Sequence, residues 1–103
     1  MPAPVTGTFG ATGQSGSFAP SLRGRDSAQF NISLSGDMVG TVEIERSFDN
    51  GETWFVCSSD GAGTEASYTA PFSVVVEENE QKTLYRLNCT AYTSGTGTYR
   101  ISQ

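Results

Sequence analysis

The sequence predicts an all-β chain folded as an antiparallel β-sandwich. Three observations carry this. From residue 27 onward apolar and polar side chains alternate with a period of two in run after run. The runs are short and are separated by Gly-, Asn- and Asp-bearing turns. No stretch combines a 3.6-residue period with helix caps. The chain's 103 residues suit one domain with a modest core, burying roughly two-thirds of the unfolded surface.

The elements follow in order. Residues 1–26 are dense in Gly, Pro, Ser and Thr and carry few large apolar side chains, Val5, Phe9, Phe18 and Leu22. Such a segment is a poor self-folder. It reads as an extended N-terminal arm, with an edge strand around Ser15 to Ala19, that becomes ordered on a neighbouring subunit. The β-sandwich domain is assigned to residues 27–103. Its first strand, AQFNISLSG, places Phe30, Ile32 and Leu34 on one face, and Gly36-Asp37 turns the chain. GTVEIERSF follows, with Val42, Ile44, Arg46 and Phe48 on one face and Glu43, Glu45 and Ser47 on the other. Arg46 interrupts the apolar row, and either snorkels at the sheet end or pairs with a carboxylate. TWFVCS is apolar on both faces, as in a central strand covered on both sides. YTAPFSVVVEE is a β-branched strand whose Pro71 favours an edge. In TLYRLNCTAY, Tyr85, Leu87, Cys89 and Ala91 alternate with Arg86, Asn88 and Thr90. TYRISQ closes the chain with Tyr99 and Ile101 on one face. Six or seven strands result.

Composition narrows the function. Eleven acidic against six basic residues give a net charge of −5, which repels phosphate backbones, and no basic run offsets it. Nucleic acid is therefore not an expected partner. No apolar run approaches the roughly 20 residues of a membrane helix, so no membrane association is expected either. The N-terminus lacks the charged and apolar regions of a secretory signal. Cys57 and Cys89 read either as small buried hydrophobes or as a disulfide joining strands. The chain has no His and no C-x-x-C spacing, so neither a metal site nor a cofactor is expected.

The stretch Ser47-Phe48-Asp49-Asn50-Gly51-Glu52-Thr53-Trp54 fits S-x-D-x-G-x-T-W. It resembles the Asp box, a motif repeated in sialidases and other β-propeller glycan enzymes. A propeller needs several blades of roughly forty residues, so this chain can hold only the hairpin. Each residue has a structural task. Asn50 and Gly51 accept positive φ in a tight turn, and Asp49 accepts backbone amides beyond it. Ser47 and Thr53 frame the turn, and Trp54 packs beneath it. Glu77, Glu78 and Glu80 read as a solvated acidic turn, because adjacent side chains on a strand point to opposite faces. SDGAG lacks the Lys-Ser/Thr ending of a P-loop, and GATGQSG lacks a strand–helix context. No catalytic constellation emerges, and a non-enzymatic role is expected.

The end of the chain, YRLNCTAYTSGTGTYRIS, has the look of the last strands of an immunoglobulin- or fibronectin-like domain, although Trp54 precedes both cysteines rather than lying between them. The expected sandwich is immunoglobulin/fibronectin-like or jelly-roll-like. Together, FGATGQSGSF, VGTVEIERSFDNGETW, YTAPFSVVVEE and LYRLNCTAYTSGTGTYRISQ resemble small structural proteins of tailed bacteriophages and prophages. The resemblance implies a virion protein made in the host bacterial cytoplasm. Its expected role is capsid decoration or cementing, or else completion of the tail, neck or fibres. Partners would be capsid or tail proteins and further copies of itself. Phe9, Phe18 and Leu22 would fill grooves on the neighbour, and Arg23 and Arg25 would pair with its acidic residues. Deleting the arm is then expected to abolish assembly while leaving the domain folded. The competing class is a carbohydrate-binding module in which Trp54, Tyr68, Tyr92 and Tyr99 form a stacking platform for glycans.

Overall fold

The computed structural model describes residues 4–21, 28–57, 67–69, 71–78 and 82–103. Among the described residues nine strands follow one another: β1 (Val5–Phe9), β2 (Gly13–Gln14), β3 (Ala28–Gly36), β4 (Val39–Ser47), β5 (Phe55–Val56), β6 (Ser67–Tyr68), β7 (Phe72–Glu78), β8 (Leu84–Ser94) and β9 (Gly97–Ser102). No helix occurs among the described residues. The strands form two antiparallel sheets. One has the order β1-β9-β3-β7, and the other has the order β2-β8-β4-β5, with β6 also paired to β4. The pairing is nested: the first strand pairs with the last, the second with the eighth, the third with the seventh.

The period-two runs form strands because alternation gives each sheet one apolar face. Phe30, Ile32 and Leu34 of β3 and Ile101 of β9 meet Val42 and Ile44 of β4 and Leu87 and Cys89 of β8, in a sandwich-like core. Each such side chain contributes about 1.5–3 kcal/mol on burial. Ala91 leaves the pattern and is exposed, because pairing shifts register between Thr41 and Val42, where a bulge reaches this part of β8. At one end the β3–β4 and β8–β9 turns press together. The Thr96 amide donates to Asp37 Oδ1 at 2.9 Å, and the Asp37 amide donates to the Thr96 carbonyl at 3.1 Å. Gly36 and Gly95 take φ of 108° and 84° there. A Cβ at either would run into the facing turn's carbonyl, so Gly36→Ala is expected to lower the melting temperature in a thermal scan.

Two expectations are corrected. Residues 4–21 do not stand away from the domain. Val5–Phe9 adds an edge strand to one sheet beside β9, and Gly13–Gln14 adds one to the other sheet beside β8. The link of Gly10, Ala11 and Thr12 spans the ~10 Å between packed sheets only if both edges lie on the same flank. The segment is therefore a strap closing one side of the sandwich. Its apolar residues are what the composition undervalued: Phe9 is 4% exposed and Phe18 1%. Phe18 stacks at 5.4 Å from Phe30, which meets Tyr85 edge-on at 4.7 Å, and Phe9 packs at 4.9 Å from Tyr99. The second correction concerns TWFVCS. Its strand is only Phe55–Val56, and it lies at an edge of its sheet with Phe55 half exposed, so apolarity on both faces does not mean a central position. By contrast, β7 begins directly after Pro71 and, among the described residues, ends its sheet, as the proline implied.

Candidate functional site

The motif residues converge on one closed hairpin. Ser47 ends β4 fully buried, and its hydroxyl donates to Asp49 Oδ1 at 2.8 Å and accepts from the Gly51 amide at 2.9 Å. The same Asp49 oxygen accepts the Thr53 amide at 2.8 Å. Asn50 and Gly51 take φ of 64° and 92°, the left-handed pair a tight turn requires. Trp54 Nε1 donates to the Gly51 carbonyl at 2.9 Å. Five of the six motif residues are thus hydrogen-bonded to one another, and Asn50 contributes its positive φ. Gly51→Val is expected to cost about 1–2 kcal/mol, read from denaturant midpoints, because a β-branched residue resists positive φ.

Hydrogen bonds from the Thr53 amide, the Thr53 hydroxyl and Ser47 hold the Asp49 carboxyl down from 3.8 to about 2. A depressed carboxylate stabilises the fold above its unfolded value, and the contribution is lost as pH falls through the folded one. Thermal midpoints of the wild type should therefore drop more steeply between pH 4 and pH 2 than those of Asp49→Asn, which cannot titrate.

From the hairpin a row of side chains crosses the outer face of the β2-β8-β4-β5 sheet. Arg86 stacks over the Trp54 ring at 4.2 Å, and its Nε donates to Glu45 at 2.7 Å. Asn88 donates to the other Glu45 oxygen at 3.1 Å, and Gln14 donates to Asn88 at 3.2 Å. Alternation placed Glu45 and Arg86 on polar faces, but only the β4–β8 register brings them opposite each other. The row ties the hairpin to the N-terminal strap.

Among the described residues, the flank opposite the strap carries a cleft. The cleft, of about 460 Å³, lies between β5 and β7, lined by Arg46, Phe48, Phe55, Cys57, Val76 and Tyr85 among others. Arg46 takes the second of its two expected courses and pairs with a carboxylate, Glu78, at 2.9 Å. Tyr85 donates to the same Glu78 oxygen at 2.8 Å. Glu78 is 3% exposed, so the reading of Glu77 and Glu78 as a solvated turn is corrected for Glu78. Strand β7 continues through it and turns its side chain inward, and Arg46 neutralises it there. Glu80 lies outside the described residues. The Arg46 guanidinium also covers Phe48 at 4.7 Å, and Phe48 lies 6.0 Å from Phe55 at an interplanar angle of 41°.

Burial pushes the Cys57 thiol up to about 11, against a smaller downward pull from Arg46. A thiol of that kind is a poor nucleophile. Both cysteines are free thiols, and β4 runs between them, with Cys57 bonded to Ile44 on one side and Cys89 opposite Val42 on the other. Among the described residues, no group of three or more Cys, Asp and Glu side chains is arranged to hold a metal ion.

The remaining candidates separate. Of the assembly contacts, Phe9 and Phe18 lie in the chain's own core and are not held out for a neighbour, while Leu22, Arg23 and Arg25 lie outside the described residues. Of the stacking aromatics, Trp54 is capped by Arg86, Tyr92 donates to the Gly95 carbonyl at 2.6 Å, and Tyr99 packs on Phe9. The side chain of Tyr68 lies outside the described set. The described aromatics form no common platform. Comparison with protein-family models, with curated proteins and with solved structures finds no match to this chain.

Proposed function

We propose that this chain is a non-enzymatic structural protein of a phage virion, a decoration or cement subunit seated on the capsid shell. The observation that carries the reading is the nested strand order, β1-β9-β3-β7 facing β2-β8-β4-β5. A strip of antiparallel pairs, first with last and second with next-to-last, wraps into a jelly roll when its two halves face each other, and that architecture is frequent in viral capsid domains and lectins. We take the sandwich to be a jelly roll on that ground. The resemblance of the sequence to small phage structural proteins supports the same reading. So does a net charge of −5, which keeps outward-facing domains from associating.

Attachment is assigned to the stretch carrying Leu22, Arg23 and Arg25, an apolar anchor beside two cations suited to an acidic shell surface. Phe9 and Phe18 have no part in it, since they hold the domain together. The test is a density gradient of virions raised with the full-length chain. The chain should band with DNA-filled heads. Reversing both arginines to glutamate should deplete it from that band without moving its melting temperature. Recovery of the wild-type chain only in the free fraction would overturn the reading.

A further inference from the structure

We propose that Asn50-Gly51 is a modification site: it deamidates irreversibly to aspartate or isoaspartate, and the closed hairpin is what withholds it. The chain's asparagines are Asn31, Asn50, Asn79 and Asn88, and only Asn50 precedes Gly. Asn31 and Asn88 stand inside paired strands, whereas Asn50 is exposed at a turn. The reaction needs only water as co-reactant. The Gly51 nitrogen loses its proton to solvent and attacks Cγ of the Asn50 side chain. The Cγ–Nδ2 bond breaks, Nδ2 leaves as ammonia, and a cyclic imide closes. Water then opens the ring at either carbonyl. Opening at the backbone carbonyl leaves isoaspartate, and opening at Cγ leaves aspartate. Glycine suits the attack because no side chain crowds its nitrogen.

The hairpin opposes that attack in two ways. Asn50 is left-handed, with φ of 64°. The accompanying ψ of about +30° to +60° turns the Gly51 nitrogen away from Asn50 Cβ, whereas ring closure needs the two on the same side. The Gly51 amide also donates to the buried Ser47 hydroxyl at 2.9 Å, which holds its proton in place. Ser47 is fixed in turn by Asp49 Oδ1, and that oxygen by the Thr53 amide. Cyclisation therefore waits for the hairpin to open, and its rate scales with the open fraction. The product cannot close the same turn. Isoaspartate lengthens the backbone by a methylene between Ser47 and Thr53, and either product sets a second carboxylate beside Asp49. A hairpin that opens and converts stays loosened. The inference does not rest on the virion reading, since it concerns the purified chain alone.

The experiment incubates the purified full chain in mildly alkaline buffer, with and without urea. Peptide mass spectrometry reads conversion at Asn50 and separates aspartate from isoaspartate. In urea the site should convert readily, while the folded wild type converts slower by roughly tenfold or more. Ser47→Ala removes the acceptor of the Gly51 amide. It should convert roughly tenfold faster than the folded wild type, the factor given by losing one or two net hydrogen bonds. Ser35→Ala, at an exposed position on β3, should keep the wild-type rate. A folded wild type that converts at the urea rate overturns the proposal. So does a site that stays unconverted in urea, or a Ser47→Ala protein that keeps the wild-type rate. Should Ser47→Ala fail to fold, Asp49→Ala, at an exposed position, takes its place with the same expected acceleration, and an unchanged rate there overturns the proposal.

Discussion

Phe18→Ala is expected to cost about 3–5 kcal/mol, the range for removing a fully buried aromatic ring. Phe18 belongs to a segment whose composition suggested a solvated arm, and an exposed phenylalanine there would cost almost nothing to remove. In the fold its ring is 1% exposed and sits against Phe30, while its amide and carbonyl both pair with Tyr85 at 2.8 Å. The substitution opens a cavity beside Phe30 and Tyr85, which the strap cannot collapse into while those two hydrogen bonds hold it. A loss of this size is a large share of the 5–15 kcal/mol by which small domains are stable. Urea unfolding monitored at Trp54 should show the midpoint falling accordingly. Ser17→Ala, at the exposed neighbouring position, should leave it unchanged.

Glu78→Ala is expected to cost about 2–4 kcal/mol. The carboxylate is buried and accepts from both Arg46 and Tyr85. Its removal leaves the Tyr85 hydroxyl buried without an acceptor, at about 1–3 kcal/mol, and removes a charged partner from Arg46. Arg46 is 38% exposed and can turn to water, which keeps the total below that of a fully buried pair. The same burial, with a smaller upward push from the Glu78 hydrogen bond, holds the Tyr85 phenol well above its ordinary titration range. Adding Tyr85→Phe should return part of the loss, because two missing partners cost less than one orphan. Strictly additive losses in the double-mutant cycle would mean that the two groups do not act through each other.

How much was legible in the sequence depended on the range of the signal. The strands of the middle and end were legible because alternation is local: Phe30, Ile32 and Leu34, then Val42 and Ile44, then Tyr85, Leu87 and Cys89 all point inward as their spacing implied. The hairpin was legible because its bonds span at most four residues. The N-terminal strap was not. Its strands are short, Gly-rich and joined to partners more than seventy positions away, such as Ser15 with Leu87. Isolated Phe9 and Phe18 carry no period that would report a partner. The Arg46–Glu78–Tyr85 cluster was half legible. The break in the apolar row at Arg46 called for a carboxylate, but which carboxylate depended on how β7 packs across from β4. The cleft beside Phe48 and Phe55 was hidden for the same reason, since apolarity on both faces of TWFVCS fits an edge beside a cleft as well as a covered strand.

Deletion of residues 1–21 tests most directly whether the chain is one nested unit closed by its own N-terminus. The deletion removes an edge strand from each sheet, the rings of Phe9 and Phe18, and the paired Ser21–Gln103 hydrogen bonds of 2.8 Å. Near-ultraviolet circular dichroism through a thermal scan should show loss of the cooperative transition, or a midpoint far below that of the full chain. A truncated chain that melts cooperatively at the full-length midpoint would contradict the account, and would return the segment to the role of a detachable arm.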